Sequence, residues 1–211
     1  MLAVDTPHGR ANVYFHLAEE ARVALVLGHG AGGGVTSRDL VAVTDVARSE
    51  RASVALIEQP YRVAGRRSPA PARQLDTVWI AVIEQLAAGE LRELPLIVGG
   101  RSLGARVACR TAQTVGARAV LCLAFPLQPP RRSTGAVAPS RLTELDQVLV
   151  PTLVVQGERD PFGVPPAAAG RTVVQVPGDH ALRTDLEAVA AAVRGWLPGI
   201  VRDLASPTAV G

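Results

Sequence analysis

Six short apolar runs, most of them followed by a stretch long enough for a helix, constrain this chain more than any other feature: Val23–Gly28, Ser53–Ile57, Leu94–Gly99, Ala119–Phe125, Pro151–Gln156 and Thr172–Val176. Runs that are apolar throughout, without alternation, suit strands buried on both faces, and helix-length connections make such strands parallel. Right-handed crossovers then wind the chain into an open, doubly wound sheet with helices on both sides. Helices are predicted over about Ser37–Arg51, Pro71–Ala88, Leu103–Val115 and Arg183–Leu197. Asn12–Leu17, with Val13, Phe15 and Leu17 on one face, adds an antiparallel edge strand and brings the sheet to about seven strands.

The 211 residues suffice for one domain with its own core, assigned to 1–204, and 205–211 reads as a flexible tail. The stretch from Phe125 to Pro151 is too short for a helical cap domain, so an open site is expected. A composition of 48% hydrophobic and 19% charged residues excludes a disordered chain, and no run of about 18 apolar residues suggests a membrane span. The first residues lack a basic head followed by an apolar stretch, which makes the cytoplasm the expected compartment. Cys109 in a predicted helix and Cys122 in a predicted strand read as small buried hydrophobes, not a disulfide framework. All 22 basic residues are arginines scattered along the chain, and 3% aromatics offer few platforms for bases. Nucleic acid is therefore not an expected partner, and no metal or other cofactor is implied.

Gly100-Arg101-Ser102-Leu103-Gly104 joins one apolar run to a predicted helix, which is the strand, tight turn and helix order of a G-x-S-x-G nucleophile elbow. The glycines let the backbone close while Ser102 is pushed up as the exposed tip. Open α/β sheets bind ligands at the carboxyl ends of their strands, so reactive residues belong just past those ends. There the chain carries His29-Gly30-Ala31-Gly32-Gly33-Gly34, Ser102, Asp160 and His180. A serine hydroxyl needs a base, for which His180 is best placed, and the imidazole needs a carboxylate to orient it. Asp160 takes that role over Glu158, which comes too early in its turn, and Asp179, which would fold back on its neighbour's ring. Oxyanion donors are the backbone N–H of Leu103 and one from the glycine loop, Ala31 or Gly32.

The loops Gln59–Arg67 and Pro126–Arg132 also follow strand ends and should border the site. Candidate substrate contacts are His29, Tyr61, Arg66, Arg67 and Arg131. The arginines select an anionic acyl group through their planar forks, or else are solvated loop charges. His29 also reads as a residue shaping the glycine loop, and Arg101 as the partner of a surface acid. The loop lacks both the P-loop lysine and the dinucleotide glycine spacing, which argues against a nucleotide.

His29 to Gly33, Gly65-Arg66-Arg67, Gly99 to Gly104, Phe125-Pro126-Leu127 with Pro129-Pro130, Gln156-Gly157 with Asp160 to Gly163, and Gly178-Asp179-His180 together resemble one branch of the α/β-hydrolase superfamily. That branch is related to the dienelactone hydrolases and includes the third subunit of the NSL histone-acetyltransferase complex. The resemblance implies the α/β-hydrolase fold and a Ser-His-Asp triad, without naming a reaction. Dienelactone hydrolases carry cysteine where Ser102 stands. The expectation is a serine hydrolase, of carboxylesterase or thioesterase type, cleaving a small ester, anionic or neutral, through an acyl-enzyme. The alternative is a non-catalytic binding or scaffold protein that retains the fold.

Overall fold

The computed structural model describes residues 1–129 and 138–205. Eight strands form one sheet: β1 (Leu2–Thr6), β2 (Gly9–His16), β3 (Val23–Gly28), β4 (Ala52–Glu58), β5 (Leu96–Arg101), β6 (Ala119–Leu123), β7 (Thr152–Gly157) and β8 (Arg171–Val176). Their order is β1-β2-β4-β3-β5-β6-β7-β8. Both pairs made by β2 are antiparallel and the remaining pairs are parallel.

The doubly wound sheet expected from the apolar runs is present, with one strand more than the expected seven or so. That strand is β1, of whose five residues only Val4 is buried, so the sequence carried no period to reveal it. By contrast every residue of β3, β6 and β7 is buried. Side chains that must meet a helix on each face are apolar at every position, and such a run is easily read.

The six helices are α1 (Arg38–Ser49), α2 (Pro60–Val63), α3 (Ala72–Ala88), α4 (Leu103–Thr111), α5 (Leu142–Asp146) and α6 (Leu186–Ala205) among the described residues. Helices α3 and α4 pack on one face of the sheet around Trp79, Leu86 and Phe125, and α1 and α6 on the other around Leu25, Leu40 and Leu197. Cys109 and Cys122 lie in the first of these cores as free thiols with sulfurs 3.5 Å apart, and the Cys109 thiol is pushed well up by that contact and by burial.

Three helix boundaries differ from expectation. Helix α4 stops at Thr111, where the chain turns through Gly116 at a φ of 66°, with Ala117 N–H donating to Ala112 O. Helix α6 starts at Leu186, because Leu182 is buried at a φ of 50° and the Asp185 carboxylate accepts from Ala188 N–H as a cap. It continues past Pro198 to Ala205 because Leu197 and Val201 share the buried stripe of Val189 and Val193, and that burial outweighs the lost hydrogen bond. Ala205 is thus helical, and the remainder of the expected tail lies outside the described residues. Between β6 and β7 the described residues hold only the short α5. No described helix is long and apolar enough to cross a membrane.

Candidate active site

The parallel topology sends the carboxyl ends of β3, β5, β7 and β8 to one rim. The chain leaves β3 toward β4 on one side and returns as β5 on the other, so the crevice of an open sheet opens between these two strands. Gly28 at the end of β3 stands level with Gly100 in β5, which sets the glycine loop beside the elbow.

Ser102 sits at the apex with φ 52° and ψ −103°, outside the regions open to residues with a side chain. Strain of this kind costs of order 1–3 kcal/mol and persists only where surroundings impose it. Here they do. Ser102 N–H donates to Leu123 O at 2.8 Å, and Arg106 N–H returns to Ser102 O at 3.2 Å. A side chain on Gly100 or Gly104 would strike the backbone of Gly28, so both glycines are required for the elbow to lie against β3.

Ser102, His180 and Asp160, far apart in sequence, meet in one hydrogen-bonded line. Ser102 Oγ lies 2.9 Å from His180 Nε2, and His180 Nδ1 lies 2.8 Å from Asp160 Oδ2. An ionised carboxylate can only accept, so Nδ1 carries the proton and Nε2 is free to accept from the serine hydroxyl. The Asp160 carboxylate is fully shielded from solvent, while the His180 side chain keeps 19% of its surface exposed. Phe162 covers the imidazole with ring centroids 4.4 Å apart.

The loops bearing the acid and the histidine are laced together. Arg159 N–H donates to Gly178 O and Glu158 N–H to Val176 O, while Leu182 N–H to Asp179 O closes a turn within the histidine loop itself. Asp160 is further held by two donors: Phe162 N–H on Oδ1 at 2.9 Å and Gln156 Nε2 on Oδ2 at 2.7 Å. Gln156 is wholly buried, and its amide nitrogen also faces the carbonyls of Phe125 and Gly163. Three acceptors around one atom fix the orientation of that amide. Read from sequence, Gln156 has no role of its own beyond the apolar run and the family resemblance, although an amide inside a buried strand is a signal that it must find partners.

In the glycine loop, Gly33 N–H is engaged by Gly30 O and Gly104 N–H by His29 O. The candidate oxyanion donors expected from sequence, Leu103 at the start of α4 with half-buried Ala31 and exposed Gly32, remain at the rim. The first N–H groups of a helix have no partner within it, which leaves that of Leu103 available.

Of the two readings offered for His29, the contacts favour the loop-shaping one. It is buried, its Nε2 accepts from Gln59 N–H at 3.1 Å, and Nδ1 therefore donates to Gly30 O at 2.8 Å. Both of its nitrogens are engaged inside the protein, which ties the glycine loop to the start of α2. Burial holds its pKa below the ordinary value. Tyr61 is likewise buried and donates its hydroxyl to Ala31 O at 3.0 Å, bracing the same loop, and burial pushes its pKa up to about 12. Arg66 is exposed at a cavity of about 290 Å³ that Gln59, Tyr61, Gln74, Leu75 and Val78 also line, while Ser102 is not among its walls. Arg67 is exposed, and Arg131 lies outside the described residues. Arg101 does not pair with a surface acid: its partner Asp39 is buried in the first turn of α1.

Solved structures agree on the architecture. Est1E from Butyrivibrio proteoclasticus, solved with ferulic acid bound, is 16% identical with a TM-score of 0.76, covering 96% of this chain and 100% of that one. A serine hydrolase without lid from Xanthomonas campestris is 22% identical, TM-score 0.70, covering 93% and 94%. A dienelactone hydrolase from Anabaena variabilis is 18% identical, TM-score 0.72, covering 93% and 94%. Identities this low speak to the fold alone. The dienelactone hydrolase agrees with the resemblance read from the sequence, and the link to the histone-acetyltransferase subunit is not shown. A comparison with curated protein sequences matches none of them. Residues 21–184 match the alpha/beta hydrolase domain family, and since this span holds the glycine loop, the elbow, Asp160 and His180, the chain belongs to that family.

Proposed function

We propose that the protein is a serine esterase or thioesterase acting on a small acyl ester. Ser102 attacks the carbonyl carbon while His180 Nε2 takes the hydroxyl proton, and Asp160 holds the imidazole in the reactive tautomer and stabilises the cation it becomes. The oxyanion is received by Leu103 N–H and an N–H of Ala31 or Gly32. His180 then returns the proton to the departing alkoxide or thiolate, and water, deprotonated by the same imidazole, releases the acid and restores Ser102. The observation that carries this reading is the continuous Ser102–His180–Asp160 line, with hydrogen bonds of 2.9 and 2.8 Å around a shielded carboxylate.

A fluorophosphonate probe and p-nitrophenyl acetate provide the test. Wild type should label at Ser102 and release a burst of nitrophenol, while Ser102→Ala should do neither at unchanged melting temperature. Full activity in Ser102→Ala overturns the assignment, and an unlabelled wild type favours a binding protein that kept the fold. A panel of p-nitrophenyl and thioester substrates of differing length and charge defines the acyl group. Preference for anionic acyl chains is expected if Arg66 and Arg67 face the bound substrate.

A further inference from the structure

The residue immediately before the nucleophile carries a contact set unlike that of a surface arginine. Arg101 ends β5, yet its side chain keeps only 16% of its surface exposed. Nε lies 2.9 Å from Oδ2 of Asp39, which is itself buried in the first turn of α1. Nη2 donates to the main-chain carbonyl of His180 at 3.0 Å. Nη1 lies beneath the glycine loop, so close that a side chain on Gly30 would sit 2.6 Å from it. One planar cation therefore spans the elbow, the glycine loop, α1 and the histidine loop.

We infer that Arg101 is a positioning residue: anchored by Asp39, it sets the distance of the His180 main chain and of the glycine loop from Ser102. This rests on the reaction proposed above. The histidine loop joins β8, at the edge of the sheet, to α6 and reaches the elbow past β6 and β7, so the Ser102–His180 hydrogen bond depends on what holds that loop against the elbow. The guanidinium does so from a residue bonded to Ser102 itself. The planar guanidinium pairs with the Asp39 carboxylate through Nε while Nη2 donates to the His180 carbonyl, two contacts that a point-charge ammonium on a flexible stem does not make together. Misplacement of reacting groups by about 1 Å costs on the order of a hundredfold in rate.

The experiment compares wild type, Arg101→Lys and Asp39→Asn. Readouts are the rate of labelling by a fluorophosphonate, kcat and KM on p-nitrophenyl acetate, and the proton resonance of His180 Nδ1–H, which needs no turnover. Arg101→Lys is expected to label about a hundredfold more slowly, with the loss in kcat and little change in KM, and with a shifted or broadened His180 resonance. Asp39→Asn leaves the guanidinium but removes its anchor, and should fall between Arg101→Lys and wild type. A labelling rate and resonance equal to wild type in folded Arg101→Lys overturn the inference. Should that variant fail to fold, Asp39→Asn decides by the same readouts. Arg101→Ala adds a further arm: millimolar guanidinium, but not sodium chloride, should restore part of its labelling rate, which a merely destabilised protein would not show. A wild type that never labels refutes the proposed reaction instead, so the two failures are distinct.

Discussion

Replacing Gly104 by alanine adds one methyl where the first turn of α4 crosses β3. That carbon would overlap the carbonyl of Gly28 and stand 2.9 Å from Gly28 Cα. Both obstacles are backbone. Gly28 is itself pinned in β3 between β4 and β5, level with Ile57 on one side and Gly100 on the other, so no side-chain rotation relieves the clash. Forced repacking of this kind costs typically 1–3 kcal/mol, and rigid walls on every side put Gly104→Ala at about 3. At roughly 2–4 °C per kcal/mol for a chain of this size, the melting temperature should fall by about 6–12 °C. The control is the same substitution at Gly195, an exposed residue inside α6 with no foreign atom within 4 Å of the added carbon. There alanine restricts the unfolded chain and improves helix propensity by about 0.5–1 kcal/mol, so the melting temperature should rise by about 1–4 °C. Calorimetry on the two variants and wild type gives the signs directly. If Gly104→Ala melts within about 1 °C of wild type, the contact between the elbow and the end of β3 does not constrain the fold, and the account of why Ser102 stays strained fails with it.

Two further outcomes follow from buried polar groups. Because burial lowers the pKa of His29 below its ordinary 6.5, the unfolded chain takes up this proton before the folded one. The contribution of His29 is therefore intact above about pH 6.5 and is lost as pH falls below it; His29→Gln should show a shallower loss of urea-unfolding free energy between pH 7.5 and 5 than wild type, and equal slopes would refute this. Gln156→Leu strips a donor from Asp160 and from the carbonyls of Phe125 and Gly163, which should destabilise by about 1–3 kcal/mol and slow probe labelling of Ser102. Unchanged melting and labelling in that variant would show that the amide does not hold the acid.

What could be read from the chain and what could not divides along a physical line. Strands β3, β6 and β7 were legible because every one of their side chains is buried. That Ser102, Asp160 and His180 come together was legible for a related reason: once the strands are parallel, their carboxyl ends share a rim, and each of the three follows one. Edge strand β1, with one buried residue, and the single-turn helices α2 and α5 carry no period long enough to register. Helix α6 runs past the expected Leu197 because the buried stripe that carries it beyond Pro198 exists only once the sheet is folded.

The supporting residues were missed for a different reason, since their partners depend on tertiary register. Asp39 in isolation is an ordinary acid in a first helical turn, favoured there by the helix dipole. Arg101 in isolation is a charge at a strand end, and assigning it to a surface acid ignored the strand it terminates. In β5 the four residues from Ile97 to Gly100 are buried. A side chain leaving such a strand at the crowded end of the sheet enters protein before it reaches water, and a guanidinium there must be met by an acid or by carbonyls. The same argument applies to Gln156 in β7, where every residue is buried. A polar residue within or closing a fully buried strand is thus a sequence signal in its own right: it does not say which partner it meets, but it says that one has been folded to meet it, and here the partners are His180 and Asp160.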